Sequence, residues 1–428
     1  MSSRKRIRLL RLTSSFYFSR PFPRGRQLRF DTIGGMEIQI ANQTMRLMKE
    51  NIEQTALILG MPGVPRALRL APNSVVYSTR APLPILIKSE TGRGTIGLEQ
   101  SWFVGAFSWL ILNRSRRRNN RFDIIHAHGN GYAWPLLIAT IARKLYRLPL
   151  VLTIHCSCIA TYSPVSGLDK ALRFVARMAE RWALSNAEKV FVLTPRLAKF
   201  YVEKNMVPAA KIHVIPDCID VNKFRSLATP ERIESFFSKY GIPRDKKIVI
   251  FLGRIAPEKG WWFFVQAASR MRRTDVHFLV CGGGVQEQKL KEMITKLGLA
   301  KKFTITGFVP HEMVPSALSI AHLFVCTSVH EELGSSILEA MAARCPIVAH
   351  KTGGIPYVIE DGVSAILVPL GRVDLLVQSI ENLIDDRKLA QKLASEAYRV
   401  VNERYDMNRI VKQLMQLYAK VVSETDVR

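Results

Sequence analysis

Arg254 and Lys259 stand in Gly253-Arg254-Ile255-Ala256-Pro257-Glu258-Lys259-Gly260, directly after the apolar run Lys247 to Leu252 and ahead of a helix-like stretch. Two cations beside a helix N-terminus suit a diphosphate, and suit a departing one better, because positive charge and unpaired amides meet the charge as it builds. A solvated turn has the same composition, so the segment needs a partner. One follows in Glu331-Glu332-Leu333-Gly334-Ser335-Ser336-Ile337-Leu338-Glu339. Gly334, Ser335 and Ser336 would open a helix whose free amides receive a phosphate. Glu339 on that helix can accept hydrogen bonds from ribose hydroxyls, and Glu331 in the loop can address a sugar. Helix caps account for the serines equally well, but not for two carboxylates around an anion site.

A second group lies in the first half of the chain. Gly34-Gly35 precedes an amphipathic stretch and would let a phosphate or sugar approach the backbone closely. His126, His128 and His155 end two apolar runs, which places them on one rim if those runs are neighbouring parallel strands. A histidine at a strand end is more often a structural residue; three on one rim favour chemistry, with His155 the first candidate. Cys281-Gly282-Gly283-Gly284 is a weaker signal, since any tight turn needs glycine. Cys156 and Cys158 have no second ligand pair at zinc spacing, and no metal site is expected. The six cysteines are scattered through apolar runs, as reduced thiols in a cytoplasm would be.

These residues need a scaffold. With 428 residues, 48% of them hydrophobic, the chain can bury two cores. Short apolar runs alternate with longer amphipathic ones, the pattern of parallel sheets covered by helices. Strands are expected at Ile7 to Leu12, Ala56 to Leu59, Asp123 to His126, Leu150 to His155, Lys189 to Leu193 and Ile212 to Ile215. A second set is expected at Lys247 to Leu252, Val276 to Val280, Phe303 to Thr306, Leu323 to Cys326, Pro346 to Ala349 and Ala365 to Val368. The polar stretch Asp220 to Lys246 reads as a hinge. No apolar run is long enough to cross a bilayer, and the arginine-broken N-terminus reads as a first strand with a basic lead, not a secretory signal. Of the net charge of +27, residues 1–222 hold +20, with 33 basic against 13 acidic side chains. Such a half is either a solvated face or a surface for something anionic, and the loop Asn113 to Arg121 is the first place to look.

Taken together, Gly-Arg-x4-Lys-Gly at 253–260, Glu331 to Ala342, the Gly-Phe-Val-Pro of 307–310, the Lys-Thr-Gly-Gly of 351–354 and Asp-Ile-Ile-His-Ala-His-Gly at 123–129 resemble the retaining glycosyltransferases of family four. The resemblance runs from Ile7 to the last helix. It implies the GT-B fold: an acceptor-binding Rossmann-like domain over 1–222, a nucleotide-sugar-binding one over 223–406, and a final helix over 407–428 that crosses back to the first domain. It implies that Arg254 and Lys259 grip the donor diphosphate, Glu339 the ribose, Glu331 the transferred sugar, and Val309 the base through its backbone, with Gly35 beside the phosphates and His155 beside the reacting sugar. It also implies chemistry without a metal or other cofactor.

Further segments resemble a narrower group, the enzymes of aminoglycoside antibiotic biosynthesis that add N-acetylglucosamine from its UDP donor to 2-deoxystreptamine. They are Phe30 to Ile40, Gly60 to Arg66, Thr79 to Pro84, Leu152 to Ser157, Ile215 to Ile219, Glu258 to Trp262 and His330 to Ser336. The expected partners are therefore a nucleotide sugar and an aminocyclitol, with glucose the alternative to N-acetylglucosamine and no nucleic acid. Asp31, Glu37, His128 and Asp217 are the candidates for binding a cationic acceptor within a basic domain. Asp217-Cys218, Glu332, Tyr357 and Ala365 depart from the broader family's pattern. Two rival readings stand beside this one: the same fold glycosylating a lipid-linked or polysaccharide acceptor while docked on an anionic membrane, and a nucleotide-sugar-binding protein without catalysis.

Overall fold

The computed structural model describes residues 6–14, 16–18, 34–60, 64–82, 87–88, 95–96, 98–114, 122–161 and 167–426. The first half holds β1 (Ile7–Leu12), β2 (Ile52–Leu59), β3 (Ala67–Ala71), β4 (Ser74–Thr79), β5 (Ile87–Lys88), β6 (Thr95–Ile96), β7 (Ile124–Asn130), β8 (Leu150–Cys156), β9 (Lys189–Val192) and β10 (Ile212–Val214). The second holds β11 (Lys247–Leu252), β12 (Val276–Cys281), β13 (Phe303–Gly307), β14 (Leu323–Cys326), β15 (Ile347–His350) and β16 (Ile366–Val368). They form an eight-stranded sheet in the order β10-β9-β8-β7-β1-β2-β4-β3 and a six-stranded sheet in the order β13-β12-β11-β14-β15-β16. The pairing is parallel throughout except β3 against β4, and β5 and β6 form a small antiparallel pair of their own. This is the GT-B architecture of two facing Rossmann-like units.

The strands read as continuous apolar runs because helices cover both faces of each sheet; β12, for example, is buried at all six positions. The strand reading of the sequence needs several corrections: β7 runs to Asn130, four residues past its expected end at His126, and the short β5 and β6 lie where no strand is expected. β3 and β4 extend the first sheet where no strand is expected, and β2 begins four residues before the expected start at Ala56. β3 is an edge strand with a half-exposed pattern, so no apolar run marks it. The arginines that break the first strand are not simply solvated. Arg8 pairs with Asp123 at 2.7 Å, whereas Arg11 is fully buried within β1.

The last helix, Met407–Asp426, belongs to the first sheet although it follows the second in sequence. Met407, Ile410, Val411, Leu414, Tyr418 and Val421 pack on Leu9, Ile124, Val151 and Phe191. The crossing is stitched by Ile219, whose N–H donates to Tyr405 at 2.9 Å and whose carbonyl accepts from Met407 at 3.1 Å. In each sheet the helices start at the carboxyl ends of parallel strands, so both rims turn unpaired amides and loop side chains toward the cleft between the units.

Candidate active site

On the second sheet, Arg254 leaves β11 and Lys259 lies in the one-turn helix Pro257–Lys259 that follows. The Arg254 guanidinium meets Glu258 at 2.9 Å. Lys259 Nζ lies 2.6 Å from Glu331 Oε2, to which the Ser328 hydroxyl also donates at 3.1 Å. Burial opposes ionisation of Glu331, yet Lys259 and Ser328 outweigh it and hold the carboxyl below its ordinary range. The same contact holds Lys259 above its own, again against burial. Both groups are therefore charged, and both are mostly covered. Val329 donates to the Glu258 carbonyl at 2.9 Å, which ties the loop carrying the cations to the loop carrying the carboxylate.

Gly334 starts the helix Ser335–Ala342 at a φ of +90°, where a Cβ would meet Ile337 at 2.9 Å and Glu331 at 3.2 Å. Only glycine lets the chain turn so sharply that the amides of Ser335 and Ser336 face the cleft. Glu339, on the same helix, receives a contact from His311 Nε2 at 3.0 Å. Burial disfavours the charged imidazole, but the Glu339 carboxylate prevails and raises the His311 pKa. Val309 sits almost fully buried in the turn just before His311. His311 carried no recognisable signal in the sequence.

The first sheet brings its own set to face these. A Cβ on Gly35 would fall 2.2 Å from Ser335 Oγ, so the two helix N-termini meet in near contact. Glu37 accepts from the Gly34 N–H at 2.7 Å and also bears on Arg254 across the cleft. His155 and Asp217, both more than nine-tenths buried, approach at 3.5 Å from Nδ1 to Oδ1. Burial, then the charge of Glu331, pushes the Asp217 carboxyl up to about 7. Burial, then Arg11, pushes His155 down to about 3, so its imidazole is neutral. His128 lies behind His155 with both ring nitrogens engaged, by Arg11 at 2.9 Å and by His155 at 3.1 Å. His128 is thus a buried residue, one ring behind His155. Asp31 and residues 115–121 of the basic loop lie outside the described residues.

Two further carboxylates join this set with no site role expected of them. Glu99 accepts from Ser14 Oγ at 2.8 Å, and burial lifts its carboxyl to about 7 against the pull of Ser14 and Asn130. Glu332, one of the departures from the family pattern, crosses between the units to bond Thr194 Oγ1 and Arg196. The departure is thus an inter-unit tie and leaves Glu331 on Lys259.

A model for glycosyltransferase family 4 matches residues 33–223, and one for group 1 glycosyl transferases matches 232–400. The chain is 34% identical over 414 residues to a 2-deoxystreptamine N-acetyl-D-glucosaminyltransferase of Streptomyces fradiae, covering 95% of this chain and 96% of that one. The chain belongs to glycosyltransferase family 4. This glycosyltransferase is also 34% identical to a 2-deoxystreptamine glucosyltransferase of Streptomyces kanamyceticus, over 82% of this chain and 90% of that one. Its fold matches the sucrose-phosphate synthase of Thermosynechococcus elongatus with a TM-score of 0.80 over 98% of this chain and 100% of that one, at 19% identity. Group transfer from a sugar donor is therefore its activity. The cationic loop of one unit and the buried carboxyls of the other face the same cleft.

Proposed function

We propose that this glycosyltransferase moves N-acetylglucosamine from UDP-N-acetylglucosamine to a hydroxyl of 2-deoxystreptamine, with retention at the anomeric carbon. The observation that carries the reading is the pairing of Lys259 with Glu331 beside the Ser335–Ser336 amides, directly opposite Gly35. Arg254, Lys259 and those amides surround the place where a diphosphate would leave. Glu339 takes the ribose, with His311 turning its carboxylate, and Val309 offers backbone to the base.

In the reaction the bond from the anomeric carbon to the diphosphate oxygen breaks and a bond to the acceptor oxygen forms on the same face. The acceptor proton passes to the departing phosphate oxygen. Glu331 and His155 border the sugar, and closure of the cleft keeps water from the donor. Among the described residues no three His, Cys, Asp or Glu side chains gather as a metal site. The cationic pair and the helix amides supply the electrostatic stabilisation of the departing diphosphate.

The acceptor is a diamine, and the first unit is strongly basic, so local anions must decide its binding. Asp217 and Glu99 are buried carboxyls with no lysine or arginine paired to them among the described residues. A ligand ammonium would supply that missing charge. Asp217→Asn is expected to raise the acceptor KM by ~10-fold or more while leaving the donor KM unchanged, the scale of one charge-assisted hydrogen bond. In the wild type the carboxyl ionises near pH 7, so acceptor affinity should rise from pH 6 to 7.5 and binding at pH 6 should release protons. Calorimetry in two buffers of different ionisation enthalpy reads this directly. A pH-independent affinity with no proton release would sink the assignment.

The whole reading is tested by incubating the purified protein in EDTA with UDP-N-acetylglucosamine, UDP-glucose and 2-deoxystreptamine together. Mass spectrometry should find the N-acetylglucosaminyl pseudodisaccharide in excess. The glucosyl product in excess would transfer the donor assignment to glucose. Absence of both, with transfer to other acceptors, would overturn the acceptor.

A further inference from the structure

Arg11 lies inside the central strand β1 with no exposed surface, and among the described residues no carboxylate forms an ion pair with it. A buried cation left without a counter-charge is costly, and packing alone would be better served by methionine or leucine. What a guanidinium offers here is one-way chemistry: it donates and does not accept. Its Nη1 meets His128 Nε2 at 2.9 Å, so that nitrogen must be the acceptor. A neutral imidazole then carries its proton on Nδ1, which lies 3.1 Å from His155 Nε2. His155 accepts in turn, and its own proton is on Nδ1, facing Asp217. Burial keeps both rings neutral, with Arg11 adding to it, so the polarity of the chain is not lost to protonation. On the far side Tyr418 of the last helix faces Arg11 and bonds His126 Nδ1 at 2.6 Å, closing the group.

We infer that Arg11 and His128 are positioning residues that lock His155 into its Nδ1–H tautomer, so that it presents a donor, and not a lone pair, to Asp217 and the cleft. This rests on the reading that His155 borders the transferred sugar and Asp217 binds the acceptor. A steady donor at that point would hold the Asp217 carboxylate oriented for an acceptor ammonium, with the 3.5 Å approach tightening when ligand arrives. The orientation was not readable from sequence, because Arg11 and His128 stand 117 residues apart.

The test is a long-range proton–nitrogen correlation spectrum of the full-length protein labelled with nitrogen-15 in histidine, assigned with His128→Asn and His155→Asn. His128 and His155 should both show a protonated Nδ1 and a bare Nε2. A His155 protonated on Nε2, or on both nitrogens, overturns the inference without any appeal to a variant's folding. In Arg11→Met, His128 loses its obligatory donor. The His155 signals should then report mixed tautomers and the acceptor KM should rise ~10-fold, with the donor KM unmoved. An unchanged tautomer in Arg11→Met would equally overturn it. Failure of the parent reading is separate: His155→Asn with full activity removes the role of His155 in the site yet leaves the tautomer result standing.

Discussion

Lys259→Met is expected to lower kcat by ~10²–10³-fold, the usual cost of removing one preorganised group from a developing anion. Methionine keeps the length and apolar bulk of the stem, so the loss belongs to the charge. Two effects are combined in it. The first is the missing cation at the leaving diphosphate. The second is that Glu331, held ionised by Lys259 at 2.6 Å, becomes a buried carboxylate supported by little besides Ser328. The double variant Lys259→Met, Glu331→Gln separates them. It removes the orphaned charge and should recover thermal stability, measured by melting, while the rate stays low. Recovery of rate in the double variant would show that Lys259 acts only by holding Glu331, and the diphosphate role would then rest on Arg254 alone.

How far such roles could be read from sequence depended on how local their causes are. All six strands of the second sheet fall within two residues of their expected bounds, because each is an apolar run buried on both faces. The rim loops after them, with Arg254, Lys259 and Glu331, follow from that placement. β3 and β4 did not show: β3 is an edge strand carrying Arg69 with no fully buried position, and β4 beside it is buried at only three of its six. The buried partners were less legible still. Arg11 looks like a break in an apolar run, and only the fold shows that it donates to His128. Glu99 lies in the first turn of the helix Leu98–Leu112 with nothing nearby in sequence to mark it, as Ser14 is 85 residues away. His311 is 28 residues from Glu339. Glu332 stands out as an oddity beside Glu331, but its partners Thr194 and Arg196 lie at the start of the helix after β9, in the other unit.

Gly35→Ala is expected to reduce kcat/KM by ~10²-fold with the fold intact, since a misplacement of about 1 Å at closure costs that much. The added carbon would fall 2.2 Å from Ser335 Oγ and 2.7 Å from its Cβ, closer than any real contact, so the two units must stand apart. Gly35 is the first residue of its helix and needs no left-handed backbone, which makes alanine at least as good a local choice. Melting temperature should therefore stay level or rise slightly while activity falls. Ser335→Gly in the same chain removes both atoms that the new carbon strikes. Activity of the double variant should exceed the product of the two single effects by several-fold, a coupling between residues on different sheets. Additive losses would mean that Gly35 serves the phosphates directly and that close approach of the helix ends is incidental. A rescued rate would make the meeting of Gly35 and Ser335 the contact that sets how tightly the cleft closes over the donor.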